Sequence, residues 1–362
     1  MTARPKPHAA PAGEVLEKTS RGRLKIYLGA TPGAGKTFAM LREARRLRDL
    51  GHDIVVAYVE TYGRARTVEL LESLEVLPRL AIAYRGTTLE EMDLDAVMVR
   101  RPEIALVDEL AHTNAPGTRN PKRWQDVETL RHAGIHVLTT VNVQHVESVK
   151  DLVEKVTGVV VRETVPDREL DGADEIQFID ITPDALRKRM RHGNVYPRNR
   201  VDTALANFFR PANLAAMRQI GLRLVADSMA RTSKVLSPPE DVLVAVSCQD
   251  ASEDLIRRGA RLARRTGGAC MVVTVSQDSQ SEANLDRFRL LADQLGCSFT
   301  ALGGGDVGEA VVEAARNSGA EHVVLGEVDT RSRLARLRPT LVDRIIDGLP
   351  RADVHVIARV AG

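Results

Sequence analysis

Residues 24–50 constrain the fold of this 362-residue chain most strongly. The apolar run Leu24–Gly29 has the length and composition of a short buried strand. Residues 37–50 have the apolar periodicity of a helix, and Gly51 follows as a stop signal. Two glycines stand in the turn between these segments. A strand that passes through a glycine-bearing turn into a helix is typical of α/β proteins with parallel sheets.

The turn itself indicates a phosphate-binding loop. Glycines let backbone N–H groups curl round an anion, and the helix N-terminus adds the positive end of its dipole. Lys36 would reach the β- and γ-phosphates of ATP, and the Thr37 hydroxyl would bind Mg²⁺. The predicted nucleotide-binding residues of the loop are Ala30, Thr31, Pro32, Gly33, Ala34, Gly35, Lys36 and Thr37. The first loop position is usually glycine but is Ala30 here, with Gly29 just before it. An ordinary strand-to-helix turn is the alternative.

A second apolar run ends in two carboxylates. Ile104–Val107 predicts a buried parallel strand, and Asp108 and Glu109 follow it directly. Because parallel strands bring their carboxyl ends to one edge of a sheet, Asp108 is predicted to hold Mg²⁺ together with Thr37 and to complete the nucleotide site. Glu109 is the candidate catalytic residue, which would orient or deprotonate an attacking water. Two solvated acids after a strand are the alternative.

Other polar side chains follow predicted strands or form a basic segment. The candidates for sensing a γ-phosphate are Glu60, His112, Thr113, Asn114, Asn142, Gln144 and His145. The alternatives are caps of the following helices and, for Glu60, a solvated loop acid. The arginines between 187 and 210 indicate a solvated helix or an electrostatic interface with a partner. His132, His136 and His145 show no zinc-site geometry.

Composition excludes several classes of function. A net charge of +2 and an aromatic content of 3% argue against binding nucleic acid by charge or by base stacking. Cys248, Cys270 and Cys297 lack metal-like spacing and suit reduced, buried thiols of a cytoplasmic protein. No apolar run approaches the ~20 residues that a transmembrane helix needs. We therefore expect a cytoplasmic protein without a transmembrane segment.

The pattern of strands and helices predicts two α/β domains. Candidate strands of the first are 24–29, 54–59, 80–84, 104–107, 136–142 and 175–181, and one long helix is predicted over 211–233. The segment Ser237-Pro-Pro-Glu240 marks a boundary. Residues 1–22 read as a disordered tail. The predicted domains are a P-loop NTPase-like parallel-sheet domain with a helical C-terminal extension at 23–236, and a five-stranded doubly wound domain at 241–362.

The motifs together resemble the cytoplasmic N-terminal domain of the KdpD family of potassium and turgor sensor kinases. The matching segments are Gly29–Thr37, Tyr58–Arg64, Val107–Asn114, Lys122–Glu128, Thr139–Ser148, Gly193–Tyr196 and Asn207–Leu214. Residues 241–362 resemble the flavodoxin-like universal-stress-protein domain that follows in that family. The resemblance implies an ATP-binding sensor module of a two-component potassium-response system. Its implied partner is a KdpE-like response regulator or a separately encoded sensor kinase.

The resemblance also limits the expected chemistry. Family members continue into four membrane spans and a histidine-kinase domain, which we expect this chain to lack, so autokinase activity on histidine is not expected. Slow ATP hydrolysis remains open. The alternative function is a P-loop ATPase or phosphotransferase with its own substrate. A structural remnant with a dead nucleotide site is disfavoured because Lys36, Thr37 and Asp108 are all present.

The stress-protein half departs from the pattern of its ATP-binding members. Aligned on Gly326, the remaining phosphate-binding positions fall on Asp329, Pro339 and Thr340. Asp329 brings a negative charge and Pro339 has no N–H to donate, which disfavours ATP there in the usual mode. Some relatives bind cyclic di-AMP in this domain. Here Ser247 keeps one serine of the corresponding loop, but residues 270–275 supply no aromatic ring to stack on adenine.

Overall fold

The computed structural model describes residues 21–191, 204–232, 239–247, 252–275, 282–303, 305–326 and 340–357. These residues form an α/β structure with two parallel sheets and one antiparallel hairpin. The predicted α/β class with parallel sheets is therefore confirmed. Cys248, Asp329, Pro339 and residues 1–20, which entered the sequence predictions, lie outside the described residues.

The first sheet and its neighbours take up the chain from Leu24 to Thr232. The strands are β1 (Leu24–Gly29), β2 (Ile54–Tyr58), β3 (Glu75–Val76), β4 (Leu80–Tyr84), β5 (Thr87–Glu91), β6 (Ile104–Val107), β7 (His136–Asn142) and β8 (Glu175–Ile179). The helices are α1 (Lys36–Asp49), α2 (Ala65–Leu71), α3 (Leu94–Arg100), α4 (Arg123–His132), α5 (Lys150–Thr157), α6 (Asp167–Asp171), α7 (Pro183–Arg191) and α8 (Pro211–Thr232).

The order of the first sheet determines what meets at its carboxyl edge. The order is β3-β2-β6-β7-β1-β8, and every neighbouring pair is parallel. Strand β7 therefore lies between β1 and β6. The loop after β1, Asp108 after β6 and Asn142 at the end of β7 consequently lie at one edge of the sheet. All four residues of β6 are buried, in keeping with a continuous apolar run in a parallel sheet.

Residues 80–84 form a strand as predicted, but it does not join the first sheet. Strand β4 pairs antiparallel with β5, with Tyr84 opposite Thr87. Arg85 and Gly86 make the two-residue turn with φ of 47° and 80°, the backbone that a tight hairpin between right-twisted strands requires. Most side chains of both strands are exposed or half-buried. The apolar run Leu80–Tyr84 resembled a core strand in sequence, although the hairpin buries little of it.

The predicted long helix is present as α8 and packs close to the first sheet. Met217 is fully buried, and Gly221 lies against β8 and the short 3₁₀ turn that follows β7. A Cβ at Gly221 would lie 2.7 Å from the Phe178 ring and 2.9 Å from Val143, so only glycine permits this approach without movement of its neighbours. The helix is thereby held against the turn that leaves the carboxyl edge.

The second sheet lies beyond residue 239. Its strands are β9 (Glu240–Val246), β10 (Gly267–Val275), β11 (Ser298–Leu302), β12 (His322–Gly326) and β13 (Asp353–Ile357), in the order β11-β10-β9-β12-β13 and all parallel. The helices are α9 (Ser252–Thr266), α10 (Glu282–Gln294), α11 (Val307–Ser318) and α12 (Leu341–Gly348). Cys270 in β10 and Cys297, which directly precedes β11, are buried free thiols. Thr340 caps α12, where its hydroxyl accepts a hydrogen bond from the Asp343 N–H at 3.1 Å.

Ion pairs join helix α9 to the part of the chain that follows β7. Arg257 donates to Glu147 at 2.8 Å, and the side chains of both are about nine-tenths buried or more. Arg261 contacts both oxygens of Asp151, at 2.8 and 3.2 Å. Arg264 pairs with the fully buried Asp167 and with Asp171. The arginines recur every three or four residues and so lie on one face of α9. We call these contacts the arginine interface.

Among the residues that the structure describes, no helix combines the length and the apolar composition that crossing a bilayer requires.

Candidate functional site

The loop between β1 and α1 carries its glycines where the backbone requires them. Gly33 and Gly35 have φ of 81° and 109°, a region that favours glycine. Gly29 serves a different purpose, because a Cβ there would lie 2.6 Å from Cδ of Lys36. The stem of Lys36 therefore packs directly over Gly29. This contact explains why the chain keeps glycine at 29, while Ala30 is buried without strain at the first loop position.

The Lys36 ammonium points toward the end of β7. It donates a hydrogen bond to the side-chain oxygen of Asn142. Burial lowers the pKa of Lys36 to about 8, although the carboxylates of Asp108 and Glu109 oppose that shift. Burial deprives this ammonium of part of its hydration. A bound polyanion would stabilise its charge, because phosphate oxygens would take the place of the lost water.

Thr37 and Asp108 are in direct contact across the site. The Thr37 hydroxyl donates to Oδ2 of Asp108 at 3.0 Å, and the Thr140 hydroxyl donates to Oδ1. Only 2% of Asp108 is exposed. A hydroxyl and a carboxylate are hard oxygen donors of the kind Mg²⁺ prefers beside substrate phosphates. Together with the close fit of Lys36 over Gly29, the residues present fit a magnesium-bound nucleotide.

Glu109 is half-buried at the mouth of the same site. Burial raises the pKa of Glu109 above its usual value, and the negative charge of Asp108 adds to that effect. The Tyr62 hydroxyl donates a hydrogen bond to its carboxylate. Both residues have left-handed backbones, with φ of 50° at Tyr62 and 60° at Glu109. Strained non-glycine backbones persist where the surrounding structure enforces them, and functional sites are where they gather.

A cavity of about 500 Å³ opens at this edge of the sheet. The predicted residues that line it are Pro32, Gly33, Lys36, Thr37, Asp108, Glu109, His112, Asn142, Gln144 and His145. Six further lining residues were not predicted: Tyr62, Arg64, Ala111, Thr140, Val141 and Glu163. All but Glu163 stand inside the matching segments Tyr58–Arg64, Val107–Asn114 and Thr139–Ser148, which were the available signal for them. Glu163 reaches the cavity through tertiary structure alone.

Three of the candidate γ-phosphate sensors do not line this cavity. Asn114 is buried, and its amide donates to Asp126 at 2.6 Å. Thr113 donates its N–H to Glu163 at 2.8 Å. Glu60 accepts hydrogen bonds from Tyr58 and from Arg79, both at 2.8 Å. Each of these three residues therefore forms hydrogen bonds that hold the loops around the site.

His112 connects the cavity to a buried ion pair. Its Nε2 lies 3.0 Å from Glu91, the last residue of the hairpin, and Arg123 donates to the same carboxylate at 2.7 Å. Burial alone would raise the pKa of Glu91, but the hydrogen bond from His112 and the charge of Arg123 bring it below its usual value. The guanidinium of Arg123, which is fully buried, also lies 3.7 Å from the centre of the Tyr58 ring. These contacts of Glu91 fix the base of the β4–β5 hairpin to the candidate site.

The basic segment is partly engaged within the chain, whereas Lys188, Arg189 and Arg191 are exposed on α7, as a solvated helix predicts. Arg187 donates to the carbonyl oxygens of Leu205 and Phe209 and so joins α7 to the residues that lead into α8. Arg189 extends from α7 to the loop between β1 and α1, where its guanidinium lies 3.5 Å from the carbonyl oxygens of Gly33 and Ala34. Arg198 and Arg200 fall outside the described residues.

The chain that leaves the cavity runs directly into the arginine interface. Nδ1 of His145 lies 2.9 Å from the Glu163 carbonyl oxygen, and burial lowers the pKa of His145 below its usual value. Two residues later Glu147 meets Arg257 of α9. Over the described ranges, no three or more His, Cys, Asp or Glu side chains are grouped so that they could hold a metal ion unaided.

Comparison with known proteins identifies the family. The family model for KdpD, described as an osmosensitive K⁺ channel His kinase sensor domain, matches residues 20–229. The sensor protein KdpD of Mycobacterium tuberculosis (strain CDC 1551 / Oshkosh) is 44% identical over 358 residues, which are 95% of this chain and 42% of that protein. The putative sensor protein KdpD of Synechocystis sp. (strain ATCC 27184 / PCC 6803 / Kazusa) is 39% identical over 350 residues, covering 93% of this chain and 94% of that protein.

The chain therefore spans about two fifths of the length of the Mycobacterium tuberculosis relative and nearly all of the Synechocystis one. Among solved structures, a universal stress protein in complex with cAMP aligns with 34% of this chain and 100% of its own, at 20% identity and a TM-score of 0.29. The resemblance seen in the sequence motifs is confirmed by the family model and by the relatives: the chain belongs to the KdpD family of osmosensitive potassium-channel sensor domains.

Proposed function

We propose that this chain is a nucleotide-binding regulatory module of the P-loop NTPase type, which holds Mg·ATP between the loop at 30–37 and Asp108. The observation that carries the proposal is the hydrogen bond of 3.0 Å between Thr37 and Asp108, beside Lys36 at the same opening. In P-loop proteins a lysine, a hydroxyl and a carboxylate in this relation bind the terminal phosphates and the metal. Lys36 and Thr37 begin α1, whereas Asp108 follows β6, so their convergence is not a consequence of the loop sequence alone.

Each residue has a distinct part in the proposed site. Lys36 binds the β- and γ-phosphate oxygens, and the N–H groups at the start of α1 face the same phosphates. Thr37 and Asp108 hold Mg²⁺, which neutralises phosphate charge when bound. Asn142, already bonded to Lys36, detects the γ-phosphate because the phosphate competes for that ammonium.

The residues that follow Asn142 connect the proposed nucleotide site to the second sheet. The residues after β7 form two 3₁₀ turns, Val143–His145 and Glu147–Val149, and the second contributes Glu147 to the arginine interface. Movement of Asn142 on phosphate binding is therefore transmitted to α9 and to the second sheet. A second route passes through Arg189 and α7 to α8.

At the level of the whole protein, we propose a cytoplasmic sensor module of the potassium-response two-component system. We take 23–236 as the nucleotide-binding domain, with its helical extension, and 241–362 as a universal-stress-protein-like domain. The partner is a KdpE-like response regulator or a separately encoded sensor kinase, as membership in this family of sensor domains suggests. Cyclic di-AMP remains a candidate ligand of the second domain.

The proposal is tested by incubating the purified chain with trace γ-labelled Mg·ATP and separating bound ATP, free phosphate and protein-attached phosphate. A regulatory module retains the label as bound ATP or releases phosphate only slowly. Lys36→Ala and Asp108→Asn should each remove most of the bound label, while Arg42→Gln, an exposed change on α1, should leave it unchanged. Label bound equally well by Lys36→Ala would overturn the assigned site.

A second candidate function is phosphoryl transfer or rapid ATP hydrolysis. The observation that favours it is Glu109, a half-buried carboxyl with a raised pKa beside Asp108 at the mouth of the cavity. A carboxylate in such a place can accept a proton from an attacking water or hydroxyl. Under this alternative the same labelling experiment gives rapid phosphate release or labelled protein, and Glu109→Gln lowers that rate while ATP remains bound.

A further inference from the structure

A second cavity, of about 700 Å³, lies on the other side of the phosphate loop. It shares Gly33, Lys36, Thr37 and Arg64 with the first cavity, so the loop and the start of α1 separate the two. The volume is within the range of 300–1,000 Å³ that is usual for small-molecule sites. The established family membership and the proposed phosphate site leave this second cavity without an assigned occupant.

Charge is divided unequally between the two cavities. The first contains the carboxylates of Asp108, Glu109 and Glu163. Among the described residues that line the second there is no carboxylate, whereas Arg64, Arg66 and Arg189 all contribute to its wall. The second cavity therefore favours an anion or a group attached to one.

An aromatic ring is exposed in the same wall. Phe38, two residues after Lys36 on α1, keeps 39% of its surface exposed and lines the second cavity. The Phe38 ring shares this wall with Arg64, Arg66 and Arg189. A flat ring next to cations is the combination that binds a base by stacking and its phosphate by charge.

We propose that the second cavity is the nucleoside subsite, in which Phe38 stacks on the base and Arg189 donates hydrogen bonds to the ribose. The inference rests on the proposed function, because the phosphates must cross the loop at Lys36 and Thr37 with the γ-phosphate toward Asp108. The nucleoside then lies on the side of the loop that carries Phe38. In this arrangement α7 contributes Arg189 to the nucleotide directly, and nucleotide binding orders α7 on the loop.

The test compares Mg·ATP with magnesium tripolyphosphate, which has the phosphates but no nucleoside, by titration calorimetry on the full chain. The wild-type chain should bind ATP more tightly than tripolyphosphate. Phe38→Ala should weaken ATP on the order of tenfold, the loss expected for one stacked base, and leave tripolyphosphate unchanged. Arg189→Gln should also weaken ATP more than tripolyphosphate. Leu50→Ala, an exposed apolar truncation at the far end of α1, serves as the matched control.

The outcomes separate this inference from the proposed function. Binding of neither ligand by the wild-type chain would overturn both. Normal binding of both ligands with ATP unaffected by Phe38→Ala would overturn the nucleoside subsite alone, as would equal weakening of both ligands by Arg189→Gln. A second readout avoids dependence on a truncation: the fluorescence of Phe38→Trp should change with ATP and stay constant with tripolyphosphate, and the reverse result would contradict the assignment.

Discussion

At the scale of single residues, the proposed role of Lys36 predicts that nucleotide affinity depends on pH. Its pKa in the empty site is about 8, because burial opposes the charged form. Phosphates favour the protonated ammonium and raise that pKa in the complex. Above pH 8 the protein must therefore take up a proton to bind ATP, and affinity falls by up to about tenfold per pH unit until the pKa of the complex is reached. Below pH 8 this contribution is constant.

Calorimetry in buffers with different heats of ionisation measures that proton uptake directly. The control is Lys36→Arg, because arginine stays protonated throughout this range and should bind more weakly but without the alkaline loss of affinity. A wild-type affinity that is flat on both sides of pH 8 would show that the ammonium is not a phosphate ligand.

Gly29 supports a second prediction at this scale. A Cβ at this position would lie 2.6 Å from the Lys36 side chain, so Gly29→Ala displaces the lysine from its rotamer. A displaced rotamer costs about 1 kcal/mol, and we expect a loss of ATP affinity of roughly fivefold with little loss of stability. Ala30→Gly should keep affinity near that of the wild type. Equal affinity for Gly29→Ala and the wild type would mean that the lysine does not need this packing.

At the scale of elements, the sequence predicted those strands whose bounds are set by a local run of apolar residues. The strands at 24–29, 104–107 and 136–142 have the predicted bounds, because continuous apolar runs suit strands buried on both faces. The hairpin partner Thr87–Glu91 was missed because it is mostly polar and exposed and lacks a core-facing pattern. Strand order was not predictable, since it depends on which faces pack across the whole sheet.

The same distinction applies to the candidate site. Lys36, Thr37 and Asp108 follow from short motifs whose chemistry can be recognised in the sequence. Glu163 and Arg189 are brought to the site by the packing of the chain after β7 and of α7, which no local pattern encodes. Both lie more than 100 positions from the loop at 30–37.

The Glu91–Arg123 pair gives a prediction at the scale of elements, because it ties the hairpin to α4. Both side chains are at least nine-tenths buried, and the loss of one charge leaves the other without its partner. Glu91→Gln should therefore lower the free energy of unfolding by roughly 3–5 kcal/mol, measured by urea denaturation. The double variant Glu91→Gln/Arg123→Met should recover much of that loss. A double variant as unstable as the sum of both single changes would rule out this pairing as the cause.

At the scale of the whole molecule, the proposed function predicts that the arginine interface couples the two sheets in their response to the nucleotide. Its acids come from residues 147–171, directly after the cavity, and its arginines come from one face of α9. Pairs that are buried on one side are screened by salt less than exposed ones. Such an interface can transmit a displacement of the 3₁₀ turns, because Arg261 holds both oxygens of Asp151 in bidentate geometry, which restricts sliding of the two elements.

The Arg261–Asp151 pair offers the sharpest test of that transmission. Arg261→Asp places two carboxylates together at a contact now made at 2.8 and 3.2 Å, and we expect it to detach α9 and raise the radius of gyration in small-angle scattering. The exchanged pair Arg261→Asp/Asp151→Arg should restore the compact form. In the wild type, Mg·ATP should change amide hydrogen exchange across α9. In Arg261→Asp, ATP should bind with near-normal affinity but leave α9 unaffected. If Mg·ATP leaves hydrogen exchange in α9 unaltered in the wild type, the second sheet does not receive the nucleotide signal through this interface.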